Sequence, residues 1–132
     1  MTDPELIVST VTADATLSGL IGGHIFPVVL PQDPPLPAVT YALASQPTEW
    51  TQDQAQYRWP RWRFRIYSLV YADLIPIATA LATLFGDRSR SPLPSSRIEY
   101  PPPPVEGHET DTHRYWRAMD VVAYLPAGAS GQ

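Results

Sequence analysis

The stretch Trp59-Pro60-Arg61-Trp62-Arg63-Phe64-Arg65-Ile66-Tyr67-Ser68-Leu69 decides the fold. Its residues alternate: Trp62, Phe64 and Ile66 fall on one side, Arg61, Arg63 and Arg65 on the other. A period of two in aromatic and β-branched residues predicts a strand that covers a core with one face. Pro60 has no N–H to give to a ladder, so it belongs at the strand's start or on an edge. The other face carries three guanidinium groups spaced roughly 7 Å apart along an extended chain. Like charges in a row repel unless something answers them, and three answers are open. The first is a solvated face with cross-strand acid pairs, each worth about 0.2–1 kcal/mol. The second is an interface with a partner or a second subunit, where arginine and aromatic residues concentrate; Trp50, Tyr57 and Trp59 nearby favour it. The third is nucleic acid.

The overall charge weighs against the third answer. Nine basic residues against 13 acidic ones leave a net charge of −4, unlike a protein whose main task is to hold nucleic acid. All nine basic residues are arginine. A GC-rich genome explains that without function, whereas arginine also suits planar, bidentate pairing at interfaces better than lysine does. The chain has no cysteine, which excludes disulfides, thiolate metal sites and cysteine nucleophiles. With 132 residues, 44% of them hydrophobic, it can build one domain with a real core. No stretch approaches the roughly 18–20 apolar residues that span a bilayer, and Met1–Glu5 is acidic where a signal peptide would be basic, so the expectation is a soluble protein.

Outward from the central stretch, Asp3 predicts an N-cap with Pro4 at the first helical position, and Leu6, Ile7, Thr10 and Val11 share a face. Asp14 gives a second start signal, followed by Leu17, Leu20 and Ile21 and stopped by Gly22-Gly23. One bent helix or two short ones fit equally. His24–Leu30 reads as a short extended piece, and residues 31–37 as a stiff proline-rich connection. Ala38–Ala44 alternates as a second strand, and 46–56 reads as a polar hairpin tip carrying Trp50. Asp73 is the expected N-cap of the next helix, whose stripe is Ile77, Ala80, Leu81, Leu84 and Phe85, ended by Gly86. Arg97–Tyr100 is a short strand, 101–104 a four-proline run, and 105–112 an acidic exposed segment. His113–Tyr124 is a strand with large apolar groups on both faces, hence central or covered twice. The expected fold is α+β: a mainly antiparallel sheet of about four strands with two main helices packed on one face. Residues 1–125 form one domain, and 126–132 a mobile tail.

Catalytic signals are weak. His108-Glu109-Thr110-Asp111-Thr112-His113 has the letters of a metal site, but its histidines are five apart, and on a helix their rings would diverge. His24 reads as a turn histidine. Gly19–Gly23 lacks the lysine and the preceding strand of a phosphate loop, and no serine sits in a nucleophile elbow. Asp73, Asp87 and Asp120 read as caps and sheet-face charges. The expectation is a non-enzyme without cofactor or metal.

The order of elements resembles a known family. The resembling residues are Ala13–Pro27, with Leu17-Ser18-Gly19-Leu20-Ile21-Gly22-Gly23-His24-Ile25-Phe26-Pro27 at their centre, then Pro37-Ala38-Val39-Thr40-Tyr41, Arg63-Phe64-Arg65-Ile66-Tyr67, Ile77-Ala78-Thr79-Ala80-Leu81 and Tyr115–Val121. Together they span roughly residues 4–124 and look like the small tail-completion, or tail-terminator, proteins of long-tailed bacteriophages. The proline run at 101–104 and the acidic segment after it depart from that pattern. The resemblance implies a structural virion protein: a ring, usually of six subunits, that caps the tail tube, ends its polymerisation and joins the tail to the head connector. The implied partners are other copies of the chain, the tube protein, the connector protein and phage DNA passing through the lumen without sequence-specific binding, with no membrane. The implied place is the head–tail junction of the virion, reached from the host cytoplasm during assembly. Another connector or minor tail component, or an unrelated non-catalytic adaptor, is the alternative. In a closed ring each patch meets a different patch of its neighbour. Arg61, Arg63, Arg65, Trp50 and Trp59 are the candidates for one side, and Glu106, Glu109 and Asp111 for the other.

Overall fold

The computed structural model describes residues 3–45, 48–50, 56–86, 96–123 and 125–126. The chain runs α1 (Asp3–Thr12), α2 (Ala15–Ile21), β1 (Ile25–Pro27), β2 (Ala38–Ser45), β3 (Thr48–Trp50), β4 (Gln56–Arg58), β5 (Arg61–Ser68), α3 (Leu74–Phe85), β6 (Ser96–Glu99), β7 (Glu106–Glu109), β8 (Arg114–Ala123) and β9 (Leu125–Pro126). The main sheet has six strands in the order β1-β2-β5-β8-β6, with β7 alongside β6 on the same flank of β8. β6 pairs with residues 120–123 of β8, and β7 with residues 114–117. The strand Arg61–Ser68 is thus interior, between β2 and β8, antiparallel to both.

The period of two becomes packing without a slip. Trp62, Phe64 and Ile66 are buried and face the helices, together with Val39 and Tyr41 of β2 and Met119, Val121 and Ala123 of β8. The helices return Ile7 and Val11 from α1, Leu17 and Ile21 from α2, and Leu74, Ile77, Leu81, Leu84 and Phe85 from α3. Phe64 stacks on Phe85 at a centroid distance of 5.5 Å, and Tyr41 tilts against Trp62 at 6.1 Å. Pro60 precedes the strand and adds its carbonyl to the ladder, accepting from Ala123 N–H at 3.1 Å.

The expectation of about four antiparallel strands and two helices is corrected in three places. First, β1 pairs with β2 in parallel, Ile25 opposite Val39, because residues 28–37 carry the chain back to the start of the same edge. Second, the acidic segment at 105–112 is half strand: β7 folds back on β8 as a hairpin, its two glutamates flanking Gly107 and His108. Third, the amino-terminal region is two helices, giving three α-helices among the described residues. Asp14 ends the first and starts the second, its carboxylate accepting Leu17 N–H at 3.0 Å, and Gly22 closes α2 in the left-handed conformation at φ 60°. A second, three-stranded sheet, β3-β4-β9, grows from the polar stretch after β2. Within it Pro126 lies opposite Tyr57.

Asp73 stands at the N-cap position of α3, as expected, but its side chain makes no capping bond. A 3₁₀ turn, Tyr71–Asp73, precedes that helix, and the Asp73 carboxylate accepts the Ser68 hydroxyl at 3.0 Å instead. The same hydroxyl accepts Val70 N–H at 3.2 Å, so the polar pair fastens the strand's end to the helix start. Gly86 ends α3 for reasons of space: a Cβ there would stand 2.4 Å from the Ala82 carbonyl oxygen.

Trp62 is 6% exposed at the centre of this packing. Trp62→Ala is expected to cost about 3–5 kcal/mol in chemical denaturation. A variant with the parent's midpoint would show that the sheet–helix core does not depend on it.

Candidate interaction face of the sheet

The face turned away from the helices holds the arginine row. Each arginine there is set by its register: Arg61 opposite Val122, Arg63 opposite Asp120, Arg65 opposite Ala118. Asp120 is fully buried, in the run Ala118-Met119-Asp120-Val121-Val122. Arg63 grips its carboxylate from Nε at 2.9 Å and from Nη2 at 3.2 Å, and Arg61 Nη1 adds a third bond at 3.0 Å. Glu99 of β6 pairs with Arg61 on one side and accepts Arg97 Nε at 2.8 Å on the other. The result is a chain of alternating charge, Arg97–Glu99–Arg61–Asp120–Arg63, across three strands.

Charge-assisted hydrogen bonds of this kind are the stronger sort, and a buried carboxylate without them would be prohibitive. The hydrogen bond to Asp120 is the main reason the Arg61 and Arg63 guanidinium groups hold their protons more tightly than usual, with burial acting in the opposite sense. The Glu99 carboxyl is held below its ordinary range, first by the Arg97 hydrogen bond and then by Arg61. Within the chain, then, Arg61 and Arg63 are answered by acids, with Asp120 more deeply buried than a sheet-face charge.

Arg65 is different. It is exposed, and among the described residues its partner is the Trp116 ring, 5.4 Å below its guanidinium carbon, and not an acid. That ring rests on Gly107 of β7, where a Cβ would come within 2.8 Å of it. Gly107 is small because Trp116 occupies its side-chain space. Among the described residues, register places Arg61, Arg63, Arg65, Arg97 and Arg114 on this face against the carboxylates Asp120, Glu99 and Glu109, so positive charge is in excess here in a chain whose net charge is −4.

The acidic candidates sit on the opposite edge. Glu106 accepts Arg117 Nη1 at 2.7 Å and the Tyr71 hydroxyl at 2.8 Å. Glu109 accepts the Thr112 hydroxyl at 2.8 Å, with Arg114 across the ladder from it, and Asp111 is exposed in the hairpin turn. Within one chain the arginine row meets this segment only through Trp116, which lies between Arg65 and Gly107, and among the described residues no ion pair joins the two. Trp59 is half-buried just ahead of β5; Trp50 lies in β3, opposite Gln56, and its side chain lies outside the described residues. The His108 and His113 rings are 6.5 Å apart in the β7–β8 hairpin, His108 tilted against Tyr115 at 4.6 Å. Among the described residues no three potential ligands gather around a common point. Sequence reasoning passed over Glu99 and Arg97 as site residues and undervalued Asp120. The signal for Asp120 was present: an acid inside a run of buried apolar residues requires a cation, and the arginine row is the nearest supply.

Asp120→Ala is expected to cost about 2–3 kcal/mol, below the full penalty of a broken buried pair, because Arg61 and Arg63 are each about a third exposed and can turn to water. The double variant Arg61→Ala/Arg63→Ala strands the buried carboxylate. It should cost more than the two single substitutions added together; simple additivity in a double-mutant cycle would contradict the shared grip. Glu99 supplies a pH signature. Its lowered pKa means that its contribution is complete above the ordinary glutamate range and is lost as pH falls through the lowered value. Glu99→Gln should flatten that part of the acid limb of the stability–pH curve, and an unchanged limb would remove Glu99 from the network.

No protein-family model and no curated protein matches the sequence. Among solved structures, a chain described as "Virion of native gene transfer agent (GTA) particle" has a similar structure, with a TM-score of 0.68 over 96% of this chain and 96% of that one, at 12% identity. At that identity the likeness establishes a shared fold along nearly the whole length of both chains.

Proposed function

We propose that this chain is a structural virion protein of a phage-like particle, forming a ring that ends the tail tube and joins the tail to the head connector. The observation that carries the reading is the fold shared end to end with a chain of a gene transfer agent virion particle. The order of elements that resembles the tail-completion proteins supports the same reading independently, since it comes from the sequence. The excess of arginine on one face of an acidic chain adds support: a subunit that meets copies of itself through two unlike patches needs such an asymmetry. In this reading the chain acts by fit and by count, stopping polymerisation when its ring seats on the tube, with no chemical step. Its partners are then further copies of itself, the tube protein and the connector, with DNA crossing the lumen.

A second reading, a different connector or minor tail component, draws on the same fold likeness, which by itself names no position in the particle. The two separate in one experiment. Particles assembled without this chain, viewed by electron microscopy, should show overlong tails or tails without heads. Tails of normal length that fail to join heads would move the chain to the connector side. Normal, infectious particles would overturn both.

A further inference from the structure

One edge of the main sheet is left open. β1 covers β2 only along residues 39–41, and Val28 N–H makes the last bond, to the Tyr41 carbonyl at 2.8 Å. The chain then leaves the edge abruptly. Val28 has φ 65°, a strained value for a β-branched residue, and Val29 N–H closes a three-residue turn onto the Pro27 carbonyl at 2.7 Å. Beyond it, among the described residues, no strand pairs with Ala42–Ser45 on the side away from β5. Strain of this kind persists where the surrounding structure uses it. Here it exposes Val28 and Val29 to 67% and 70% and uncovers a cleft of about 230 Å³, whose walls include Val28, Leu43, Ala42, Ala44, Arg63 and Arg65. The two alanines matter. They add little bulk to the cleft, where Ala42 lies opposite Arg63 and Arg65 stands two residues further along β5, opposite Thr40.

We propose that this cleft is the socket of a head-to-tail contact, filled by the β7–β8 hairpin of a second copy of the chain, with Glu109 and Asp111 of that copy answering Arg65. The contact rests on the ring reading above and specifies its seam. Three features select the occupant. The free edge of β2 and the outer edge of β7 are each four residues long, so one can extend the other as a ladder. Arg65 has no acid of its own, and Asp111 is exposed without a partner among the described residues. The other outer strand on that flank, β6, has its one acid, Glu99, already paired with Arg61 and Arg97 and so has none to spare for Arg65. The cleft also has apolar walls in Val28 and Leu43, which suit a protein strand better than a phosphate backbone. Socket and hairpin lie on opposite edges of one sheet, so each copy offers both halves and the contact repeats around an axis.

The test uses the full chain and reads mass by sedimentation or light scattering, starting from a protomer of 14.6 kDa. Wild-type chain should assemble with concentration. R65E alone should weaken self-association roughly tenfold or more, and so should E109R/D111R alone. Circular dichroism and melting establish that each variant is folded. An equimolar mixture of the two variants should recover assembly, since each reversed socket then meets a reversed hairpin and each native socket a native one. R65E that assembles like wild type, a mixture that fails to recover, or a wild-type chain that stays at protomer mass at its highest soluble concentration overturns the contact. The tail phenotype is measured separately. Overlong tails together with any of these three results would leave the proposed function standing and discard only this seam.

Discussion

The structure depends on one buried carboxylate. Asp120 sits with no exposure between two arginines of the neighbouring strand, and its position fixes the register of β8 on β5. A slip of β8 by one residue would turn its side chains to the other face, sending Asp120 into the core beside Trp62, Phe64 and Ile66 and bringing Met119 and Val121 out among the arginines. The penalty is large on both counts, so charge on one face and apolar packing on the other enforce the same pairing. Such agreement between independent constraints is what gives a sheet a single arrangement. β6 is held by the same network, because Glu99 reaches Arg61 from the far side of β8.

The two faces of the sheet divide the labour of the domain. The helix face is closed, and α3 carries no charged residue over its twelve positions, its inner stripe of Leu74, Ile77, Leu81, Leu84 and Phe85 filling the core. The other face is polar but not loose. Arginine stems lie along the strands and leave Thr40, Ala118 and Val122 almost without exposure. Fixing two of the arginines on Asp120 removes their freedom before any partner arrives, and lowers the ordering cost that a flexible charged surface would add to association.

Much of this was legible in the sequence, for a physical reason. Alternation over eight residues, the apolar stripe of α3 and the Asp14 and Gly22 signals are local, and local patterns survive into the fold. The parallel β1–β2 pair was not legible, because three residues, Ile25–Pro27, are too few to display a period, and pairing in parallel depends on the path of a ten-residue connection. β7 was hidden for a related reason: Glu106-Gly107-His108-Glu109 has no apolar alternation, and becomes a strand only because β8 offers it a ladder and Trp116 needs the space at Gly107. Asp73 carried a capping signal that tertiary structure overrode when Ser68 claimed its carboxylate. The site followed the same division. The arginine row could be read from spacing alone, whereas its partners come from strands 38 and 57–59 residues away in sequence.

The turn at Val28 bears on solubility. An uncovered strand edge is a template for any extended chain, and natural sheets blunt such edges by shortness, charge or a sharp departure of the backbone. This edge uses all three. Among the described residues only four positions of it are bare, arginines stand behind them, and the chain leaves the edge at Val28 through a turn with φ 65°. Open-ended stacking of strand on strand, as in a fibre, is opposed by these features, and any ladder formed at this edge is limited to one short stretch per contact.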